Sequence, residues 1–575
     1  MKFIGKALLT LLVLLILLIV ALYIAAQTRW GAARISNWVT ENSSWTMTLD
    51  GIDHSLSTPS RVTLQNVSLA PKGQQPVLSA REMVLDFGVQ QLTAPRHFSG
   101  LLLRDGALNT HNRRSPLPVQ ADTLRLQNML IAADNGDWNL RATQVDGGVT
   151  PWQPTRDHAL GSNARFQFSA GTLTLNDIPA QNALIQGAVE NNRLRLNNLG
   201  ADVARGQLTA DAEQQENGSW LVNNLRLSGV QWQTAQTLEQ LKDRIQHLPD
   251  VTLGRMDVTG AKLVGPAWAL SDLDITLQQV TLHNGDWQSE DGSLAFNASD
   301  IVVGNLHFID PIVSTALSPA GIDIRQATAR WEGGLLRADG NWQRADRRLT
   351  INDAAVVGLE YTLPQNWREL WQQPLPSWLN ELILTKFSGS RNLIVDINPD
   401  YPFQFTAVDG FGNNLMLVKN GRWGIWRGGF TLNGSEATLN KTDIRRPSIT
   451  LKADDGQITV TELSAFAGKG LLEGTATVGQ QESRPFALTL NGRAVPSTVL
   501  AQWGWPAIPL SGDVNLQLSA AGRLQAGTPM KPTIGATLHA QDGNGQQVTQ
   551  TLAGGELQAA MPQAQIPEAQ QPAGE

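Results

Sequence analysis

The sequence predicts a mainly β protein that follows a single N-terminal transmembrane helix and carries only a few short helices. Three observations predict this. Ala7 to Ala26 form an uncharged run of twenty residues, ALLTLLVLLILLIVALYIAA. Short apolar–polar alternations recur from Trp45 to about Leu524, and Asn, Asp or Gly closes most of them. Helix-period patterns are confined to two or three places.

The apolar run comes first. At about 1.5 Å per helical residue it spans roughly 30 Å, the thickness of a hydrocarbon core. Ala7, Leu12, Leu15, Ile19, Leu22 and Ala26 mark its length as a membrane anchor, and Thr10 and Tyr23 are its only mildly polar members. A cleaved signal would have a shorter apolar region and a small-residue site, which Tyr23-Ile24-Ala25-Ala26 does not supply, so retention is expected. Lys2 and Lys6 precede the span while Arg29 and Arg34 follow it, a slight bias that places residues 1–6 in the cytoplasm as a leader. The large domain is then expected in the periplasm, anchored single-pass in the inner membrane. The absence of cysteine agrees with an oxidising compartment and excludes disulfides and thiolate metal sites.

Residues 27–44 form a juxtamembrane segment in which Gly31, Ile35, Trp38 and Val39 recur at helical spacing. Trp30 and Trp38 sit at headgroup level in one reading and pack on the first strands of the domain in the other.

Residues 45–524 carry the strand pattern. Leu173 and Leu175, Leu194 and Leu196, and Leu225 and Leu227 each flank a polar residue, and Leu273, Ile275 and Leu277 alternate with Asp274 and Thr276. Leu516 and Leu518 repeat the pattern near the end. Period two gives each strand one apolar face, and these residues are the candidates for lining an apolar groove. Thr237–Leu248 reads as a helix, and Asn366–Leu384 as two short helices divided by Pro374 and Pro376. So few helices cannot cover so much sheet, so the strands form a sandwich, close a barrel or curl into a trough. The pattern leaves the three open. The tail, 525–575, is rich in Gln, Ala, Pro and Gly and is read as low-complexity and disordered.

Little in the chain suggests chemistry. A net charge of −7 without a basic stripe gives nucleic acid no footprint. The eight histidines are scattered and form no H-E-x-x-H pair, so no metal is expected. Gly468-Lys469-Gly470 with Gly474 has neither nucleotide fingerprint, and a hairpin turn explains it. Asp272 and Asp274 lie two apart, as an acid–base pair would, but their alternation with leucine and isoleucine fits a solvated face better. No enzyme and no cofactor are expected. Eighteen tryptophans stand against three tyrosines, with Trp423 near Trp426 and Trp503 near Trp505. Each is read first as core filler. A lipid-facing or glycan-binding surface is the sharper alternative.

Several segments resemble the AsmA family of bacterial envelope proteins: the MKFIGK start with its single span, QTRWGAARISNWVTENS after it, and PSRVTLQNVSLA at 59–70. GLEYTLPQNWRELW at 358–371, TELSAFAGKGLLEG at 461–474 and AQWGWPAIPLSGDVNLQLSAAG at 501–522 extend the likeness over nearly the whole chain. The resemblance implies an elongated, curved antiparallel β-sheet forming a groove, of the kind found in bridge-like lipid-transfer proteins. It implies a phospholipid conduit between inner and outer membrane that contributes to outer-membrane homeostasis, with membrane phospholipids and other envelope proteins as partners. The alternative is an envelope scaffold or regulator that influences outer-membrane protein assembly or the targeting of proteins to the membrane. The family supplies no catalytic residues.

Overall fold

A computed structural model of the protein describes residues 2–109, 119–134, 139–155, 158–247, 250–370, 373–525 and 527–558. The chain divides into two units, Met1–Gly304 and Asn305–Glu575.

The first unit opens with two helices, α1 (Lys2–Ala26) and α2 (Arg29–Asn42). No single helix among the described residues is long and apolar enough to cross a membrane. The pair Thr10–Ala26 and Arg29–Asn42, bent by 74°, passes that test together. The large aliphatic side chains from Leu11 to Ile24 are exposed. Beyond α2 the first strand, Trp45–Thr48, pairs antiparallel with Arg61–Pro71, and the Met47 amide donates to Thr40 Oγ1 of α2 at 3.1 Å.

Most strands join as antiparallel neighbours in sequence order, as hairpin turns dictate. Among the described residues, three pairings between long strands are parallel. Gly100–Asn109 pairs with Leu124–Asp134, and Trp220–Ser228 with Val251–Val264, in the first unit. Arg348–Val357 pairs with Glu381–Asp396 in the second. A parallel join needs a crossover of a dozen or more residues. That is where two of the short helices lie: α3 (Leu238–Gln246) in one crossover and α4 (Trp367–Leu370) in another. Thr237 caps α3, receiving the Gln240 amide while the Gln240 side chain receives the Thr237 amide. Leu248, at the end of that predicted helix, lies outside the described residues, as do Trp371 and residues 559–575.

Two expectations are corrected. The second predicted helix of 366–384 does not form: Leu382 and Ile383 belong to the strand Glu381–Asp396, pairing with Leu349 and Thr350. Pro374 and Pro376 stop the first helix, and the leucines beyond them gain more from a neighbouring strand than from a short helix. The tail read as disordered contains the strands Gly535–Asp542 and Gln547–Ala553, with Leu538 fully buried opposite Leu518. Its alternating Ala536, Leu538 and Ala540 complete the preceding strand, so composition understated its order.

Many strands carry a bulge near their middle with a residue at positive φ, among them Asn66, Asp105, Asn128, Gln144 and Asn182. Each bulge shifts which parity faces inward. Leu124 and Leu126 face the core before Asn128, and Met129 and Ile131 after it. Side chains on neighbouring strands hold these kinks. Asn128 Nδ2 donates to Asp105 Oδ1 at 2.7 Å, the Asn128 amide to Asp146 Oδ1 at 3.0 Å, and Asn182 Nδ2 to Asp202 Oδ2 at 2.7 Å. Asparagine suits the left-handed conformation and supplies the cross-strand bond.

Candidate functional site

The strand registers join the apolar residues into one face within each unit. In the first unit Ile52 opposes Leu64, which opposes Met83, which opposes Leu103. Leu103 continues to Leu126, Gly147 and Phe168. Directly opposed residues share a sheet face, so the row is continuous from strand to strand. Farther along, Val189 opposes Leu194, Ala210 opposes Leu225 and Leu208 opposes Leu227. Met256 opposes Leu277 and Val258 opposes Ile275.

Register thus places the candidates Leu173, Leu175, Leu194, Leu196, Leu225, Leu227, Leu273, Ile275 and Leu277 on that face. Their surroundings differ. Leu273 is buried in a local cluster with Val258 and Ala261, whereas Leu175 is exposed and the others are half-buried. A fully packed core would leave few of them accessible.

At its N-terminal end the face borders a cavity of about 1250 Å³. That exceeds the roughly 300–1,000 Å³ of ordinary small-molecule sites. Leu64, Leu69 and Met83 supply its apolar wall, and Ile35, Trp38 and Val39 of α2 face it from the other side. Tyr23, at the end of α1, borders the same space. Its hydroxyl lies 3.0 Å from His54 Nδ1 and 2.9 Å from the His54 carbonyl oxygen. Gln27 Nε2 donates to that carbonyl at 3.2 Å. Phe87, Pro95, Arg96 and Phe98 form the remaining lip, carried by the segment after the strand Leu78–Asp86. His97 is buried, with Nε2 2.7 Å from Asp122 Oδ1, and fixes the base of that segment.

In the second unit the face runs from Ile351 through Leu384 to Leu415, and from Leu463 through Gly474 to Leu490 and Leu518. A cavity of about 700 Å³ lies on it, lined by Ile449, Leu463, Leu488 and Trp503 among others. The segment 497–512 covers the end of this face, burying Val499, Leu500, Ile508 and Leu510. Trp503 Nε1 donates to the Leu439 carbonyl at 3.1 Å and Trp505 Nε1 to Gln550 Oε1 at 2.8 Å. The candidates Leu516 and Leu518 are buried in this cluster, at 5% and 7% exposure, and Leu518 also borders the cavity.

Of the predicted interfacial pair, Trp30 is 59% and Trp38 66% exposed, and Arg34 lies over the Trp30 ring at 5.3 Å. Ala7 and the start of α1 are helical, and Leu12, Leu15, Ile19 and Leu22 are exposed. Asp272 adopts φ +47 at a bulge, and Asp274 Oδ1 receives the Gly260 amide at 2.8 Å. The Asp274 carboxylate thus serves the sheet backbone. Trp426 donates its indole N–H to the Arg422 carbonyl, with Lys419 above its ring. Lys419 and Arg427 converge on Asp455, and hydrogen bonds from Arg427 and then Lys419 lower its carboxyl to about 2. Among the described residues no three His, Asp or Glu side chains gather as a metal site.

Of the residues that shape the N-terminal cavity, helical spacing marks Ile35, Trp38 and Val39 in the sequence. Tyr23, His54, Phe87 and Arg96 come from α1, the strand Gly51–His54 and the segment after Leu78–Asp86, and no local pattern joins them.

No family model matches the chain. It is 48% identical over 555 residues to a curated Escherichia coli (strain K12) protein described as "AsmA family protein YicH", and the match covers 96% of this chain and 98% of that one. The chain belongs to the AsmA family.

Proposed function

We propose that this protein is a non-enzymatic conduit for phospholipids, held in the inner membrane by α1, with its β-rich body in the periplasm and its cargo bound for the outer membrane. The observation that carries the reading is the apolar face that strand register continues across each unit, with accessible residues along it and a large cavity at the end nearest α1. Acyl chains in water lose roughly 0.8 kcal/mol per exposed CH₂, so a continuous apolar surface lowers the barrier to moving them without any bond being broken. Such an even lining recognises acyl chains as a class.

A second reading, an envelope scaffold for protein partners, is favoured by the closed cluster under 497–512, where the apolar face is covered by the chain itself. Photo-crosslinking in cells separates the two. Crosslinkers at Leu194 and Leu225 should capture phospholipid while those at Arg195 and Arg226 do not. Equal capture at both parities, or none, overturns the conduit.

A further inference from the structure

The two most exposed large apolar side chains of the described protein are Val89, at 84%, and Leu56, at 77%. Both stand on loops at one edge of the first unit's sheet. Leu56 lies in 55–60, between the strands Gly51–His54 and Arg61–Pro71. Val89 begins the 3₁₀ turn Val89–Leu92, after the strand Leu78–Asp86. The Phe87 amide donates to the Ser60 carbonyl at 2.7 Å, so the loops are neighbours.

Their height relative to α1 is set by a direct bond. Tyr23 is in the last turn of α1, and His54, two residues before Leu56, is hydrogen-bonded to it. When α1 crosses a bilayer, its last turn lies at the interface, and a loop tied to that turn lies there too. The loop chemistry agrees. Ser55–Ser60 reads SLSTPS and Phe87–Ser99 reads FGVQQLTAPRHFS, and neither contains an acidic residue. The one arginine, Arg96, is exposed at the lip of the cavity. An anionic headgroup surface attracts that cation and would repel carboxylates.

We propose that these two loops dock into the bilayer interface beside the anchor, with Leu56 and Val89 inserted below the headgroups and Arg96 against lipid phosphate. The docking surface holds the cavity mouth, lined by Phe87, Pro95 and Arg96, open toward the leaflet instead of toward water. This rests on the reading of α1 as a membrane anchor and adds to it a second, independent contact with the same membrane.

The cysteine-free sequence permits a clean test. Full-length single-cysteine variants Leu56→Cys and Val89→Cys are spin-labelled and reconstituted into phosphatidylethanolamine–phosphatidylglycerol vesicles. Leu15→Cys serves as the anchor reference. Glu216→Cys, in an exposed turn several strands farther along, serves as the water reference. The ratio of oxygen to nickel-chelate collision rates should place both loop labels between the two references. Loop labels matching Glu216→Cys, with Leu15→Cys deep, overturn the docking surface and leave the anchor intact. A water-exposed Leu15→Cys label overturns the anchor and the docking surface together.

Discussion

The Tyr23 hydroxyl meets the His54 imidazole at 3.0 Å, and the two rings lie edge to face with centroids 5.6 Å apart. Thirty-one residues separate them in sequence. His54 Nε2 lies 3.1 Å from the Pro59 carbonyl, which only accepts, so that nitrogen carries a hydrogen. The Tyr23 hydroxyl is left to donate to Nδ1 or to the His54 carbonyl. This contact joins the apolar helix to the edge of the sheet and sets where the N-terminal cavity opens.

Replacing Tyr23 with Phe keeps the ring contact and removes the hydroxyl. A lost hydrogen bond of this kind costs about 1–1.5 kcal/mol. Amide hydrogen exchange in 52–60 should then accelerate by roughly tenfold, while the strand Gly100–Asn109 stays protected. Unchanged exchange in 52–60 would show that the hydroxyl does not hold the edge.

The bulge at Asn128 (φ +51) separates two roles of one residue. Asn128→Gly keeps the left-handed backbone and loses the bond to Asp105, whereas Asn128→Ala loses the bond and also strains the backbone. Denaturant unfolding should find the alanine variant less stable than the glycine variant by about 1 kcal/mol. Equal stability of the two variants would mean that the side-chain bond alone matters.

These bulges also explain how much the sequence discloses. Leu273, Ile275 and Leu277 are legible as one strand face because the bulges of their own strand, at Asp272 and Gln279, lie outside them. The register shift between Val258 and Ala261 falls on the partner strand. Phe166 and Phe168 share a face with Leu173 although their parity differs, because Gly171 and Asn182 mark a kink between them. Long strands therefore read as short ones. Leu382 and Ile383 read as helical because tryptophan and leucine at spacings of three and four mimic a helix, and pairing with Leu349 and Thr350 overrides that pattern. The N-terminal cavity is formed by contacts far apart in sequence, such as Tyr23 with His54, and local periodicity contains no trace of them.

Buried and exposed leucines on the apolar face should respond differently to truncation. Leu538 is fully buried among Leu516, Leu518 and Trp503, so Leu538→Ala should cost about 2–5 kcal/mol in denaturant unfolding. Leu175, 45% exposed, should cost below about 1 kcal/mol on the same substitution. Equal losses would indicate that the face at Leu175 is covered in solution.

Asp455 gives the second unit an acid-sensitive contact. Its carboxyl is lowered to about 2 by Arg427 and Lys419, so the stabilisation it provides is fully present above the ordinary carboxylate value and disappears as pH falls from about 4 toward 2. The contact is solvent-exposed, so salt weakens it. The melting temperature of Asp455→Asn should lie below that of the wild type at pH 6, and the gap should narrow steadily as pH falls from about 4 toward 2. A gap as wide at pH 2 as at pH 6 would assign the effect to something other than the charge.

A block placed partway along the face tests whether lipid moves along it. Leu196 opposes Gly187 on one neighbouring strand and Ala212 on the other, so a bulkier, charged side chain there meets small partners and projects across the apolar surface. Strands follow one another from the N-terminal cavity through Leu173 and Leu196 to Leu273, so Leu196 lies between the other two along the ladder. Leu196 is half-buried, and a long arginine can bend its head to water, so the variant should fold. In cells carrying Leu196→Arg, a photo-crosslinker at Leu173 should capture phospholipid as in the wild type, while one at Leu273 should lose most of its capture. Leu196→Met, which keeps the surface apolar, should restore capture at Leu273. If both positions label equally in the arginine variant, lipid reaches Leu273 without passing Leu196, and the face does not act as a continuous path.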